Sequence, residues 1–276
     1  MNYSRIICGL AALLFVFRLS AQKNLVKLWE TDTSLKVPES VYYDKKSDVL
    51  YFSNIDGKSN EKDSKGSIGK MDVNGKRVTV NWVTGLHAPK GMGIFEGFLY
   101  VADIDVIVVI DIKKEKIIQR IPIEGAVFLN DITIGQNGAV YVSDMKVGKV
   151  HRITNGVAEI VLESLKGVNG LLSKGTDLYL LVNGTLWKST VDKQLIKIAE
   201  GMDESTDGLA QTKNGDFIIS SWNGIIYYVR ADGTKTVLLD TRAEKMNTAD
   251  IGFDPNKNII YVPTFFKNKI VAYQLK

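Results

Sequence analysis

Six polar residues recur along this chain at near-even intervals: Glu39, Lys90, Asn130, Asn169, Asp207 and Asp250, separated by steps of 51, 40, 39, 38 and 43 residues. Three are carboxylates, two are amides and one is an amine. Carboxylate and amide oxygens are hard donors, the set that Ca²⁺ takes, and neither Cys nor His stands in the series. Glu39 and Asp207 would offset the two charges of such an ion, while Asn130 and Asn169 add neutral dipoles. Without a cation, two carboxylates facing each other across a narrow channel would repel, and one pKa would rise. A plainer reading competes with this one. A water-filled channel mouth is polar whatever its role, and Asn-Gly pairs, of which the chain has seven, usually mark turns. Register favours the ligand reading. Asn130, Asn169 and Asp207 each stand directly before a strand-like run, and the next turn follows separately at Asn137-Gly138, at Gly175 and at Asn214-Gly215. Zn²⁺ or Mn²⁺ could replace Ca²⁺ in such a site.

The elements that must position these residues are legible around the third of them. The phrase FLNDITIGQNGAVYVSD (128–144) contains a polar step, a short strand, an Asn-Gly turn, a second β-branched strand and a terminal Asp. Copies begin at Pro38, Val168, Thr206 and Ala249, with a looser one at Pro89. Runs such as VYVSD, KVHRI, LYLLV, FIISS and IIYVP are separated by Gly-containing turn pairs, and no long window carries a helical apolar period. Repeats of about 40 residues built from short strands predict an all-β fold, a six-bladed β-propeller with one four-stranded blade per repeat. In the third blade the strands should fall near 131–134, 139–143, 149–153 and 158–162. The innermost strands line the channel, so all six aligned residues should meet at one mouth. The last repeat lacks an outer strand, and LVKLWETD (25–32) resembles one. The N-terminal strand should therefore join the last blade, against about 269–273, and close the ring.

Residues 1–21 read as a secretory signal: Arg5, an apolar run from Ile6 to Phe17 too short to span a bilayer, and a small-residue cleavage site ending at Ala21. An exported protein, periplasmic or secreted, is expected, with residues 22–276 as a single propeller domain. Cleavage removes Cys8, the chain's one cysteine, leaving neither disulfides nor thiol chemistry. It also takes the formal charge from +4 to about +2, since Arg5 and Arg18 leave 33 basic against 31 acidic residues. That balance, with scattered Lys residues, argues against a nucleic-acid partner. No membrane span is expected in the mature chain, and a monomer is the simplest assembly. The polar insertion 57–67 reads as a solvated loop.

Glu39 in PESVYYD, Asn130 in LNDITIGQNG, Asn169 in VNGLL and Asp207 in TDGLAQTKNG resemble the senescence marker protein, regucalcin and gluconolactonase family over the whole mature chain. The resemblance implies a six-bladed propeller that holds one divalent ion, Ca²⁺ by its ligand class, through those four residues. It also implies that the ion polarises a lactone or ester carbonyl, with Asp207 as the catalytic general base toward water. One departure is visible. An Arg that contacts sugar hydroxyls in the family is replaced here by Phe128, which makes a more apolar lactone or ester at least as fitting as a sugar lactone.

Further pocket candidates are His87, Lys90, Phe128 and Asp250. Lys90 could neutralise a substrate carboxylate or pair with Asp250. His87 could serve as a base or be a hydrogen-bonded loop residue. Asp131 is expected to orient Asn130 from behind. Trp82 and Trp187 read as packing residues, and Trp222 as packing or as part of the channel mouth. The expected function is an exported, metal-dependent hydrolase of a lactone or small ester. The alternative is a non-catalytic, metal-stabilised propeller that binds a protein or glycan. A third reading, a structural repeat protein without an ion, makes the four ligands coincidental.

Overall fold

The computed structural model describes residues 23–276. The expected signal segment, 1–21, lies outside the described residues. Six four-stranded antiparallel sheets form the ring of a six-bladed propeller. The first blade comprises β2 (Pro38–Asp44), β3 (Val49–Asn54), β4 (Gly66–Asp72) and β5 (Thr79–Leu86). The second is β6 (Pro89–Phe95), β7 (Phe98–Asp103), β8 (Val106–Asp111) and β9 (Lys116–Pro122). The third is β10 (Leu129–Ile134), β11 (Val140–Asp144), β12 (Lys149–Thr154) and β13 (Val157–Leu162), close to the positions read from sequence. The fourth is β14 (Val168–Lys174), β15 (Asp177–Val182), β16 (Thr185–Ser189) and β17 (Leu195–Ala199). The fifth is β18 (Thr206–Gln211), β19 (Phe217–Ser221), β20 (Ile225–Val229) and β21 (Lys235–Asp240). The sixth joins β22 (Gly252–Asp254), β23 (Ile259–Pro263) and β24 (Ile270–Leu275) to β1 (Leu25–Glu30), the first strand of the described chain.

That last pairing closes the ring. Leu25 lies opposite Leu275 and Glu30 opposite Val271, two residues further along than expected at the C-terminal end, with a bulge between Lys27 and Trp29. Trp29 packs on Tyr261 of the same blade at 6.0 Å between rings. Among the described residues, six apolar clusters each bridge a pair of adjacent blades, so the core is distributed around the ring. Leu50 and Phe52 of the first blade, for example, pack with Tyr261 and Ile270 of the sixth.

Three local devices shape the channel. Each innermost strand of the first five blades is bulged at two residues, as the register breaks at Pro38/Val41, Pro89/Met92, Leu129/Ile132, Val168/Leu171 and Thr206/Leu209 show. A bulge frees residues from the ladder and re-aims their side chains. The freed pairs are Glu39-Ser40, Lys90-Gly91, Asn130-Asp131, Asn169-Gly170 and Asp207-Gly208. In three blades a serine of the next strand accepts the released N–H: Ser53 from Ser40 at 2.9 Å, Ser143 from Asp131 at 3.0 Å, and Ser220 from Gly208 at 2.8 Å.

Second, the glycines in those pairs allow the inner strands to crowd the axis. A Cβ on Gly170 would lie 2.1 Å from the Asp207 carbonyl oxygen, and one on Gly208 would lie 2.4 Å from the Ile251 nitrogen. Asn169-Gly170 is thus a blade-to-blade contact and not a turn. Third, the Asp that ends the repeated phrase holds the incoming crossover. Asp103 accepts the N–H groups of His87 and Ala88, the latter at 2.7 Å, and Asp144 accepts that of Val127 at 2.7 Å.

Candidate functional site

Glu39, Lys90, Asn130, Asn169 and Asp207, five of the six aligned residues, line one cavity of about 470 Å³ at a single mouth of the channel. All five are buried, between 1% and 8% exposed, so their polar atoms depend on one another or on a ligand. Asn169 Nδ2 donates to Asp207 Oδ1 at 2.8 Å. This turns Asn169 Oδ1 away from the pair, and that oxygen is buried with no donor, as is Glu39 Oε2. Asn130 directs its amide N–H toward Met145 Sδ at 3.8 Å. Buried polar oxygens without donors are rare, and each asks for a proton, a water or a cation.

Electrostatics make the same demand. Burial, then the nearby charges of Asp207 and Asp250, push the Glu39 carboxyl well above the usual range. Burial and Asp250 do the same to Asp207, against the lowering effect of the Asn169 hydrogen bond. Asp131 is raised by burial and by Asp250. Asp250 is pushed up to about 7 by burial. The one cation among them is Lys90, itself lowered to about 8 by burial in spite of Glu39 and Asp103. With four buried carboxyl groups against one amine, ionising the set is costly unless a cation joins it.

The remaining sequence candidates separate. Asp250 does not line this cavity. Its Oδ2 accepts the Ser40 hydroxyl, and it faces a second cavity of about 270 Å³ with Asp131. The expected Lys90–Asp250 pair is not formed. Lys90 Nζ donates to the Ala88 carbonyl at 2.8 Å and sits 4.5 Å from the centre of the Phe128 ring. Asp131 does not hold Asn130. Its oxygens accept the N–H groups of Leu171 in the next blade and of Ile132, each at 2.6 Å, so it ties two blades together. His87 is absent from the cavity wall and accepts the Ser64 N–H at 3.1 Å, the loop role. Phe128 does line the cavity.

Sequence reasoning passed over several wall residues. The insertion 57–67, read as solvated, supplies Ser59, and Ile55 just before it also lines the wall. Phe265 and Phe266 from the loop between β23 and β24 join it, as do Met145 and Glu204, whereas Trp222 takes the channel-mouth place that was one of its two expected ones. The Phe-Phe doublet in PTFFKNK was a usable signal, since loops joining the second and third strands of every blade lie on one face. Trp82 packs on Tyr51 at 5.1 Å, and Trp187 packs within the third- and fourth-blade cluster. Among the described residues, no three His, Cys, Asp or Glu side chains group as a metal cluster, and the set above offers two carboxylates with two amides.

The chain was compared with known proteins. It superposes on streptogramin B lyase with a TM-score of 0.68 at 14% identity, over 92% of this chain and 98% of that one. It also superposes on a catalytically inactive variant of virginiamycin B lyase from Staphylococcus aureus with quinupristin, with a TM-score of 0.64 at 15% identity, over 92% and 100%. At this identity the likeness establishes the shared propeller fold. No protein-family model and no curated protein sequence matches the chain. No helix among the described residues is long and apolar enough to cross a membrane.

Proposed function

We propose that the chain is an exported, metal-dependent hydrolase of a lactone or small ester, with Glu39, Asn130, Asn169 and Asp207 holding one divalent cation, by preference Ca²⁺. The observation that carries this reading is the lining of one buried cavity by those four side chains, with Glu39 Oε2 and Asn169 Oδ1 lacking any donor. Oxygen donors of this class, two carboxyls and two amides, suit a hard ion, and such an ion would take the place of the protons that burial makes the carboxyls keep. When bound, the cation would supply Lewis acidity toward a carbonyl oxygen and stabilise the developing oxyanion.

The chain's own groups do the rest. Asp207 is fixed by the Asn169 amide through Oδ1, which leaves its other oxygen to accept a proton from an attacking water. Lys90 places positive charge beside Glu39 at the base of the cavity, where an anionic product or substrate carboxylate would rest. Phe128, Ile55 and the aromatic wall exclude bulk water from the reacting carbonyl.

The test is a panel of lactones and aryl esters assayed with CaCl₂ and with chelator. Hydrolysis that chelator abolishes and Ca²⁺ restores supports the reading. Metal binding without turnover on any member would favour a non-catalytic, metal-stabilised propeller. The solved neighbours are lyases by name, so product mass is part of the assay: hydrolysis adds water to the substrate, whereas lyase cleavage does not.

A further inference from the structure

The cavity has a polar floor and an aromatic lip. Trp222, Phe265 and Phe266 meet edge to face, with ring centres 4.7 Å apart between the two Phe residues and 5.4 and 6.0 Å from Trp222 to Phe265 and Phe266. The loop that presents them is built. Thr264 and Lys269 close it through backbone and hydroxyl bonds, and Asn268 Oδ1 accepts the Val37 N–H from across the ring closure. Phe265 adopts a left-handed φ of 49°, a conformation that a bulky residue holds only when its surroundings enforce it. Its ring is fixed beside Ile55, Ala88, Ile104 and Ala249. The consequence of that turn is Phe266. It stands at the lip, 64% exposed, its ring meeting two others edge to face.

Two of the polar wall residues are already engaged. Ser205 is engaged by Asp203 and Ser221, and Asn183 donates its amide to the Lys166 carbonyl. Rigid aromatic walls over a few fixed polar groups are how small-molecule sites select amphipathic ligands. The geometry points to Trp222, Phe265 and Phe266 as a clamp for an apolar ring or short chain of the substrate, held while its carbonyl reaches the Glu39–Asn169–Asp207 floor. The substrate class is thus a lactone or ester bearing a phenyl or alkyl substituent, not a polyhydroxylated one. This inference rests on the hydrolase reading for its chemistry but not for its binding step.

The experiment therefore has two arms on the full mature chain in CaCl₂. In the first, wild type, Phe266→Ala and Phe266→Leu are assayed on a phenyl-substituted lactone, the unsubstituted lactone and a sugar lactone. Phe266→Ala should lose at least tenfold more kcat/KM on the phenyl lactone than on the unsubstituted one, chiefly through KM, with partial rescue by Phe266→Leu. In the second, the phenyl-substituted lactam, which resists hydrolysis, is titrated while tryptophan emission is followed, with Trp222→Phe identifying the reporter. Saturable quenching in wild type, weakened at least tenfold in Phe266→Ala, supports the clamp. Equal losses on all lactones, or lactam affinity unchanged by Phe266→Ala, overturn it. No turnover of any lactone by wild type, with saturable lactam binding that needs Phe266, retains the clamp and removes the hydrolase.

Discussion

Glu39 and Asp207 are held in a place that opposes their ionisation, and nothing on their own strands relieves it. Replacing Glu39 by Gln removes one of the mutually repelling carboxyls while keeping an oxygen donor of the same reach. Glu39→Gln should therefore raise the melting temperature of the metal-free protein at pH 7.5 and shrink the increase produced by CaCl₂. Calorimetry with and without chelator reads both, and a variant that melts lower than wild type under chelator would count against repulsion on the axis. Asp207→Asn keeps a ligating oxygen and loses the proton acceptor. It should retain the fold and part of the metal-dependent stabilisation, yet cut turnover by about 10²-fold or more, the usual scale for a lost general base. Near wild-type turnover on the best lactone would move the base elsewhere.

The innermost strands show why the site exists at all. A uniform ladder would alternate these side chains between faces, whereas the bulge at the start of these inner strands frees two successive residues from the ladder and re-aims them. The glycine in three of these pairs lets the next blade approach, and Gly170→Ala tests that directly. Its Cβ would meet the Asp207 carbonyl at 2.1 Å, so the neighbouring strand must shift, displacing Asp207 from Asn169. A loss of about 1–3 kcal/mol, the scale of overpacking a tight core, is expected, together with weaker Ca²⁺-dependent stabilisation. Urea denaturation measures the first and metal titration the second. Gly85, where a Cβ would meet open space, is a poor control because its φ of 85° is strained for any other residue. Removing β1 is the more drastic change. It strips the outer strand from β24, exposes an edge and unfastens the ring, so residues 31–276 should fail to melt as a single cooperative unit.

For the molecule as a whole, the axial carboxyls set a pH dependence opposite in sign to that of ordinary salt-bridged acids. Glu39, Asp131 and Asp207 lie well above their usual values and Asp250 at about 7, so the folded chain keeps protons that the unfolded chain releases above about pH 4. Where the folded state binds more protons, stability falls as pH rises. Metal-free protein should thus melt at a higher temperature at pH 5 than at pH 7.5. His151, lowered by burial, acts the other way, but it is one group against four. Surface acids such as Asp72 and Asp240 have lowered values, so their effect is complete above about pH 4. Saturating CaCl₂ should raise the melting temperature more at pH 7.5 than at pH 5. At a hundredfold excess over Kd, mass action alone gives about 2.7 kcal/mol. A profile that climbs from pH 5 to 7.5 under chelator would sink this account.

The repeat by itself determined the number of blades, the strand boundaries and the closure by residues 25–30, because period and β-branched alternation are local properties that each copy restates. It also placed Glu39, Lys90, Asn130, Asn169 and Asp207 in one column, since equivalent positions in a ring of equivalent blades share a face. Tertiary structure decided what the column could not. Asp250 shares the register but faces the other cavity, where the Ser40 hydroxyl of the first blade holds its carboxylate. Asp131 follows Asn130 in sequence yet serves the neighbouring blade, and His87 is held by a loop 23 residues away in the chain. The aromatic lip is the clearest case. Trp222, Phe265 and Phe266 come from loops of two blades and obey no repeat, so only the packing of the fifth blade on the sixth, which sets those loops side by side over the same mouth, makes them a wall.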